Sequence, residues 1–146
     1  MPDLEVPERF NSVTDILEQW ASEEPDDLAL LSLGPDGELV AEHTAAQLAA
    51  RARAAARALG AQGIAKGDRV FIMLPRGPAW YEAMLGAIRL GAVVSPGTGQ
   101  LTSRDIAYRL AKTGARVAVT SPEGAAKIDA IERPPGALQV RILVAA

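Results

Sequence analysis

Val70-Phe71-Ile72-Met73-Leu74 is an unbroken apolar run of strand length, and three more runs of its kind follow. They are Ala92-Val93-Val94-Ser95, Arg116-Val117-Ala118-Val119-Thr120 and Val140-Arg141-Ile142-Leu143-Val144. The four begin at intervals of roughly twenty-odd residues. Between them lie helical patterns: Pro78 to Leu90, ending at Gly91; Ser103 to Lys112, ending near Gly114; and Pro122 to Ile131. Ser121-Pro122 is an N-cap followed by proline at the first helical position, and Thr102-Ser103-Arg104-Asp105 offers another cap. Strands that alternate with helices at this spacing are βαβ units, which build a parallel sheet. Continuous apolar, β-branched runs fit strands covered on both faces.

Upstream, Thr44-Ala45-Ala46-Gln47 reads as a capping box. The helix behind it is expected to run to Leu59 and stop at Gly60. Leu48, Ala52, Ala55, Ala56 and Leu59 share its inner face. Arg51, Arg53 and Arg57 lie mostly off that face, a pattern that fits solvated arginines better than a phosphate site. Leu28 to Leu33 and Glu38 to Glu42 flank the turn signal Gly34-Pro35-Asp36-Gly37 and form a β-hairpin. Val13, Ile16, Leu17 and Trp20 recur at helical spacing, with Asn11 or Ser12 as the cap. The first ten residues read as a leader strand or loop. The expected fold is therefore α/β: a parallel sheet of about four strands with intervening helices, preceded by an N-terminal helix and β-hairpin. The leader helix and hairpin occupy 1–43 and the α/β units 44–146.

The 146 residues suffice for one domain with its own core. Apolar residues make up 49% and charged residues 23%, so the chain is not a disordered one. The net charge of -3 and pI near 5.2 do not fit a nucleic-acid-binding surface. There is no cysteine, which excludes disulfides, thiolate zinc sites and a cysteine nucleophile. The single histidine, His43, excludes a two-histidine metal site. No apolar run reaches the ~18 residues of a membrane span, so no transmembrane segment is expected. Met1-Pro2-Asp3-Leu4-Glu5 lacks an apolar leader core, so a signal peptide is not expected and the expected location is cytoplasmic.

Ligands of open parallel sheets bind beyond the C-terminal strand ends. That rule selects Pro75-Arg76-Gly77, Pro96-Gly97-Thr98-Gly99-Gln100 and Ser121. In the middle loop two glycines admit close approach to the backbone, Thr98 and Gln100 supply hydrogen-bonding groups, and Pro96 stiffens the turn. Arg76 could pair with an anion or make a structural ion pair. Asp68 lies at the opposite end of the sheet and reads as structural. The chain has no G-x-x-x-x-G-K-[ST], no G-x-G-x-x-G and no G-x-S-x-G. No catalytic residue and no metal ligand can be assigned from the residues alone.

Several strings, in order, resemble the N-terminal segment of the AMP-dependent synthetase/ligase superfamily of adenylate-forming enzymes. Lys66-Gly67-Asp68-Arg69-Val70 followed by Leu74-Pro75 resembles its "G-D-R-V … L-P" segment. Leu74-Pro75-Arg76-Gly77-Pro78-Ala79-Trp80 resembles the L-P-R-x-P-x-W of medium-chain acyl-CoA synthetases. Pro96-Gly97-Thr98-Gly99-Gln100-Leu101 resembles their P-G-T-x-Q, and Asp105-Ile106-Ala107-Tyr108-Arg109-Leu110 their D-I-x-Y-R-L. Phe10-Asn11 with Asp15-Ile16-Leu17-Glu18-Gln19-Trp20 resembles their opening. The chain departs from them at Tyr81, where a second tryptophan is common, at Ala45, and at Leu30 and Leu31, where aromatics are common.

The resemblance implies a ligase that joins a medium-chain or aromatic carboxylic acid to CoA through an acyl-adenylate, using ATP, CoA and Mg2+. It places the phosphate loop and the catalytic lysine downstream of residue 146. It implies an N-terminal portion, inactive alone and able to associate with the remainder of the ligase. Gln100 matches a glutamine that contacts CoA, with Thr98 a neighbour. The alternatives are a stand-alone, non-catalytic nucleotide- or CoA-binding module, or an interaction fragment.

Overall fold

The computed structural model describes residues 7–132 and 135–144. Of the leader strand or loop expected over the first ten residues, the first six lie outside them and residues 7–10 form a loop. A π-helical turn, Val13–Leu17, runs into α1, Glu18–Glu23. The hairpin strands β1, Leu28–Leu33, and β2, Leu39–Thr44, follow, then the long helix α2, Ala45–Ala61. The remainder alternates: β3 Arg69–Met73, α3 Pro78–Arg89, β4 Val93–Pro96, α4 Ser103–Thr113, β5 Val117–Thr120, α5 Pro122–Asp129 and β6 Val140–Leu143. The four expected strands form one parallel sheet in the order β4-β3-β5-β6.

Alternation along the strands divides the core in two. Val70, Ile72, Val117 and Val119 face α3 and the end of α2, meeting Ala83, Ala87 and Leu59. Phe71, Met73 and Ala118 face the other way, against Ile106 and Leu110 of α4 and Ile128 of α5. Central strands β3 and β5 are buried almost throughout, as continuous apolar runs require. Edge strands β4 and β6 are covered only in part. On the first face α2 and α3 touch closely at Gly86, where a Cβ would come within 2.6 Å of the Ala55 Cβ.

The hairpin forms a separate two-stranded antiparallel sheet. Ala29 and Leu30 pack it against the opening helix and the start of α2, with Val13, Leu17, Leu48 and Ala49. It thus joins the parallel sheet through α2. Asn11, rather than Ser12, caps the opening turn: its Oδ1 accepts from the Val13 N–H at 3.0 Å. The same side chain donates to the Ile88 carbonyl at 2.8 Å, so it also pins this turn to the end of α3.

The capping boxes expected at Thr44/Gln47 and Thr102/Asp105 are present, and Ser121 accepts from the Gly124 N–H at 3.2 Å. The stop of α2 differs from expectation. The helix continues past Gly60 to Ala61, and the left-handed residue is Gly63, at φ +76°. The Ile64 N–H bonds the Leu59 carbonyl at 3.2 Å and the Gly63 N–H the Gly60 carbonyl at 2.9 Å, a Schellman closure. Leu59 and Ile64 then enter the same core, and this contact selects the later glycine. The arginines of α2 also do more than meet water. Arg51 pairs with Glu82 of α3 at 2.8 Å, and Arg53 with Glu18 at 3.6 Å.

Candidate functional site

β3 sends its connection to one side of the sheet and β5 to the other, the arrangement that opens a crevice above the C-terminal strand ends. Beside it, between the loops after β3 and β4, lies a cleft of about 490 Å³. One wall is Leu74, Pro75, Arg76 and Trp80, and the other is Pro96, Gly97, Thr98 and Gly99. Two of the three loops chosen from the sequence therefore meet in one place.

The first wall is set by the start of α3. Pro78 occupies the first turn, and the Gly77 carbonyl accepts from the Trp80 N–H at 3.0 Å. Trp80 lies beside Arg76, whose guanidinium carbon is 5.5 Å from the ring centroid. Tyr81 stands edge-on to the indole, with centroids 5.0 Å apart and planes at 85°. Edge-to-face packing of this kind fixes an aromatic pair.

The second wall is held from three directions. The Gly97 N–H continues the ladder to the Ile72 carbonyl at 2.8 Å. Below it lies the buried ring of Phe71, 2.8 Å from where a Gly97 Cβ would stand, so only glycine fits without movement. The Leu101 N–H returns to the Thr98 carbonyl at 3.2 Å and closes a turn. Lys127 of α5, ion-paired to Glu123 at 3.1 Å, donates to the Gly99 carbonyl from the neighbouring element. The spacing between Lys127 and Gly99 leaves no local sequence signal for this tether.

Thr98 lines the cleft, as the sheet-end rule leads one to expect. Gln100 is exposed, next along the loop and outside the lining. Its carboxamide has no hydrogen-bond partner among the described residues. Thr102 and Asp105 cap α4 without it, the Asp105 carboxylate accepting from the Thr102 N–H at 3.0 Å. The Thr102 hydroxyl also donates to that carboxylate at 2.7 Å, and the two bonds hold the Asp105 carboxyl below its ordinary value, the hydroxyl being the larger cause.

Asp68 sits at the far end of the sheet, as expected. It accepts from the Ala65 N–H at 3.0 Å and pairs with Arg116 at 3.0 Å, and these contacts lower its pKa, the backbone N–H foremost. His43 is buried in β2, on the hairpin, and its Nδ1 has no partner among the described residues. Among those residues no cluster of three His, Asp or Glu side chains could hold a metal ion. Mg2+ is held by one or two carboxylates beside substrate phosphates, and no carboxylate among the described residues lines the cleft, so the cleft residues do not fit it. The cleft, by contrast, has a cation, a hydroxyl and open backbone, groups suited to a polar, anionic ligand.

The chain matches the model of the AMP-binding enzyme family over residues 17–145. It is 37% identical over 147 residues to the acyl-coenzyme A synthetase ACSM2B, mitochondrial, of Homo sapiens, an alignment that covers 96% of this chain and 25% of that protein. Its fold superposes on a Mycobacterium tuberculosis fatty acyl CoA synthetase with a TM-score of 0.80 and 32% identity, covering 92% of this chain and 26% of the other. The anthranilate CoA ligase AuaEII, solved with anthranoyl-AMP, gives 0.83 and 25% identity, over 95% of this chain and 26% of the other. The chain thus spans about a quarter of the length of the relatives it matches. Curated relatives are named as mitochondrial enzymes, which overturns the cytoplasmic location expected from the opening residues. The first residues carry no apolar leader pattern, and that pattern marks secretion alone.

Proposed function

Because the chain belongs to the AMP-binding enzyme family, we propose that it forms the N-terminal portion of an ATP-dependent acyl-CoA ligase. The substrate is a medium-chain or aromatic carboxylic acid. Its carboxylate attacks the α-phosphorus of ATP and pyrophosphate leaves. The CoA sulfur then attacks the acyl carbon and AMP leaves. Residues outside this chain carry the phosphate loop, the catalytic lysine and the Mg2+ ligands. This portion, a single partial domain, supplies the wall of the site built from the loops after β3 and β4.

The observation that carries this reading for the chain's own residues is the Thr98–Gln100 turn. It stands at the ligand end of the sheet with a free carboxamide, while its structural needs are met by Ile72, Phe71 and Lys127. Gln100 then offers a donor and an acceptor to CoA, with Thr98 beside it. The rest of the ligase packs against this portion, and the apolar groove lined by Ala55, Leu59, Ala83, Val119, Ile142 and Val144 offers it a seat.

The test uses the full-length protein that carries this chain. It should catalyse ATP–pyrophosphate exchange that depends on the acid, and form a thioester with CoA. Loss of one neutral hydrogen bond is worth about 0.5–1.5 kcal/mol, so Gln100→Ala should raise the KM for CoA roughly two- to tenfold. The KM for ATP should rise less. An equal rise in both, or none, removes Gln100 from the CoA site. Residues 1–146 alone should form no acyl-adenylate, and acid-dependent pyrophosphate release by that chain would contradict the assignment.

A further inference from the structure

We propose that the cleft between the loops after β3 and β4 binds a phosphate group through Arg76, with Trp80 as the platform that holds the guanidinium in place. The role of Arg76 rests on the ligase assignment and extends it to a residue whose charge has no partner inside the fold. Arg51, Arg53, Arg89 and Arg116 are each met by a carboxylate. Arg76, like Arg57, Arg104 and Arg109, meets none among the described residues; what sets it apart is its place in the cleft wall, over an indole ring 5.5 Å from its centroid. A cation–π contact at an exposed site is weak and orients the cation without neutralising it. The ring takes up none of the guanidinium's hydrogen-bonding capacity in the plane of its N–H groups, the part that grips an oxyanion in two places. The platform is itself fixed, since Tyr81 packs edge-on against Trp80.

The opposite wall suits the same ligand. No acidic side chain among the described residues lines the cleft. Thr98 brings a hydroxyl, and the Thr98 and Gly99 N–H groups have no backbone partner among those residues. A second cation, Lys127, rests on the Gly99 carbonyl at the far side of the loop, shared with Glu123. An anion entering the cleft thus meets positive charge and no carboxylate on its walls. Of the substrates in the proposed reaction, ATP and CoA carry phosphates, and either can supply the group.

The full-length protein separates the sources. Arg76→Met keeps an unbranched apolar stem and removes the charge; Arg76→Lys keeps the charge and removes the fork. A charge-assisted hydrogen bond at an exposed cleft makes a rise in KM of roughly five- to twentyfold the expected effect of Arg76→Met, confined to one phosphate-bearing substrate and partly recovered in Arg76→Lys. If CoA is the source, the preference of the wild type for CoA over pantetheine, which lacks the phosphates, shrinks by the same factor. If ATP is the source, the rise appears in the ATP KM instead. A rise confined to the carboxylic acid, or no change in any KM with an active wild type, overturns the proposal. A wild type without acid-dependent pyrophosphate exchange would overturn the ligase assignment alone. Phosphate binding is then read directly, by calorimetric titration of pyrophosphate into the full-length protein and into its Arg76→Met variant. Saturable binding that Arg76→Met weakens upholds the cleft as a phosphate site, and binding that the substitution leaves unchanged refutes it.

Discussion

Gly97 and Gly99 lie in the same loop, and replacing each by alanine should have opposite effects. Neither holds the positive φ that favours glycine, so backbone strain plays no part. A Cβ on Gly97 would lie 2.8 Å from Phe71 Cζ, 2.9 Å from Leu101 Cδ1 and 3.0 Å from Phe71 Cε2. Carbon atoms rest at about 3.5–4.0 Å, so the shortfall is at least ~0.5 Å. Leu101 is half-buried and can turn aside. Phe71 cannot: it is fully buried in β3, in one cluster with Ile106 and Leu110. The loop must therefore rise by roughly 0.5–1 Å. Overpacking of this kind costs about 1–3 kcal/mol, while alanine returns about 0.4–1 kcal/mol by restricting the unfolded chain. Gly97→Ala should destabilise by about 1–2 kcal/mol. A Cβ on Gly99 meets nothing within 4 Å, so Gly99→Ala should be neutral or stabilising by less than about 1 kcal/mol. Urea unfolding followed by circular dichroism measures the difference as separated midpoints at a common slope. Equal midpoints for the two variants would show that the Phe71 ring does not confine the loop.

Gly86→Ala sets two rules against each other. Helix propensity alone favours alanine by about 1 kcal/mol, but the new Cβ would stand 2.6 Å from the Ala55 Cβ and 2.8 Å from the Ala56 backbone nitrogen. A net loss of about 1–2 kcal/mol is expected in thermal unfolding, partly restored by Ala55→Gly in the same chain; a gain in stability would show that α2 and α3 can part freely. The acid limb of stability gives a further test. Glu18 is held below its ordinary 4.5, chiefly by the Arg89 guanidinium at 2.8 Å, and Asp68 and Asp105 lie below their ordinary 3.8. Carboxyls lowered by folding contribute stability that is fully present above their unfolded values and is lost as pH falls through the folded ones. The midpoint should thus hold from neutrality to about pH 5 and fall below that, with Glu18→Gln reducing the slope at the upper edge. Stability that rises on acidification below 4.5 would refute these pairings.

The fold was legible where burial and periodicity agree. β3 and β5 read as strands because both faces are covered, so no polar residue interrupts Val70–Met73 or Val117–Val119. Their parallel pairing followed from the helices between them, and the caps at Thr44, Thr102 and Ser121 fixed where three of those helices start. Long-range contacts defeated the local reading elsewhere. Two glycines near the end of α2 carry the same signal, and only the meeting of Leu59 with Ile64 decides for Gly63. Asn11 and Ser12 were equal as caps until Asn11 found the Ile88 carbonyl in α3. Arg51 and Arg53 are solvated, as their positions off the inner face imply, and what the local reading missed is that Glu82 and Glu18 on other helices pair with them.

The candidate site follows the same division. Thr98 could be placed at the cleft because strand order alone determines which loops share an end of the sheet. What Arg76 does there could not be read, since an arginine in a loop pairs with a carboxylate as readily as with a ligand. Its neighbour in space is Trp80, four residues on, a contact that leaves the charge without a carboxylate among the described residues. Lys127 was invisible as a member of the site, because the bond to Gly99 exists only once α5 and the loop after β4 are brought side by side. Ion pairs hold α1, α2 and α3 together, and Asp68 with Arg116 closes the opposite end of the sheet. Arg51, Arg53, Arg89 and Arg116 are thus neutralised within the fold. A positive charge kept free at the ligand end, on a fixed aromatic face, is more consistent with recognition than with stability, because exposed pairing would contribute under about 1 kcal/mol in any case.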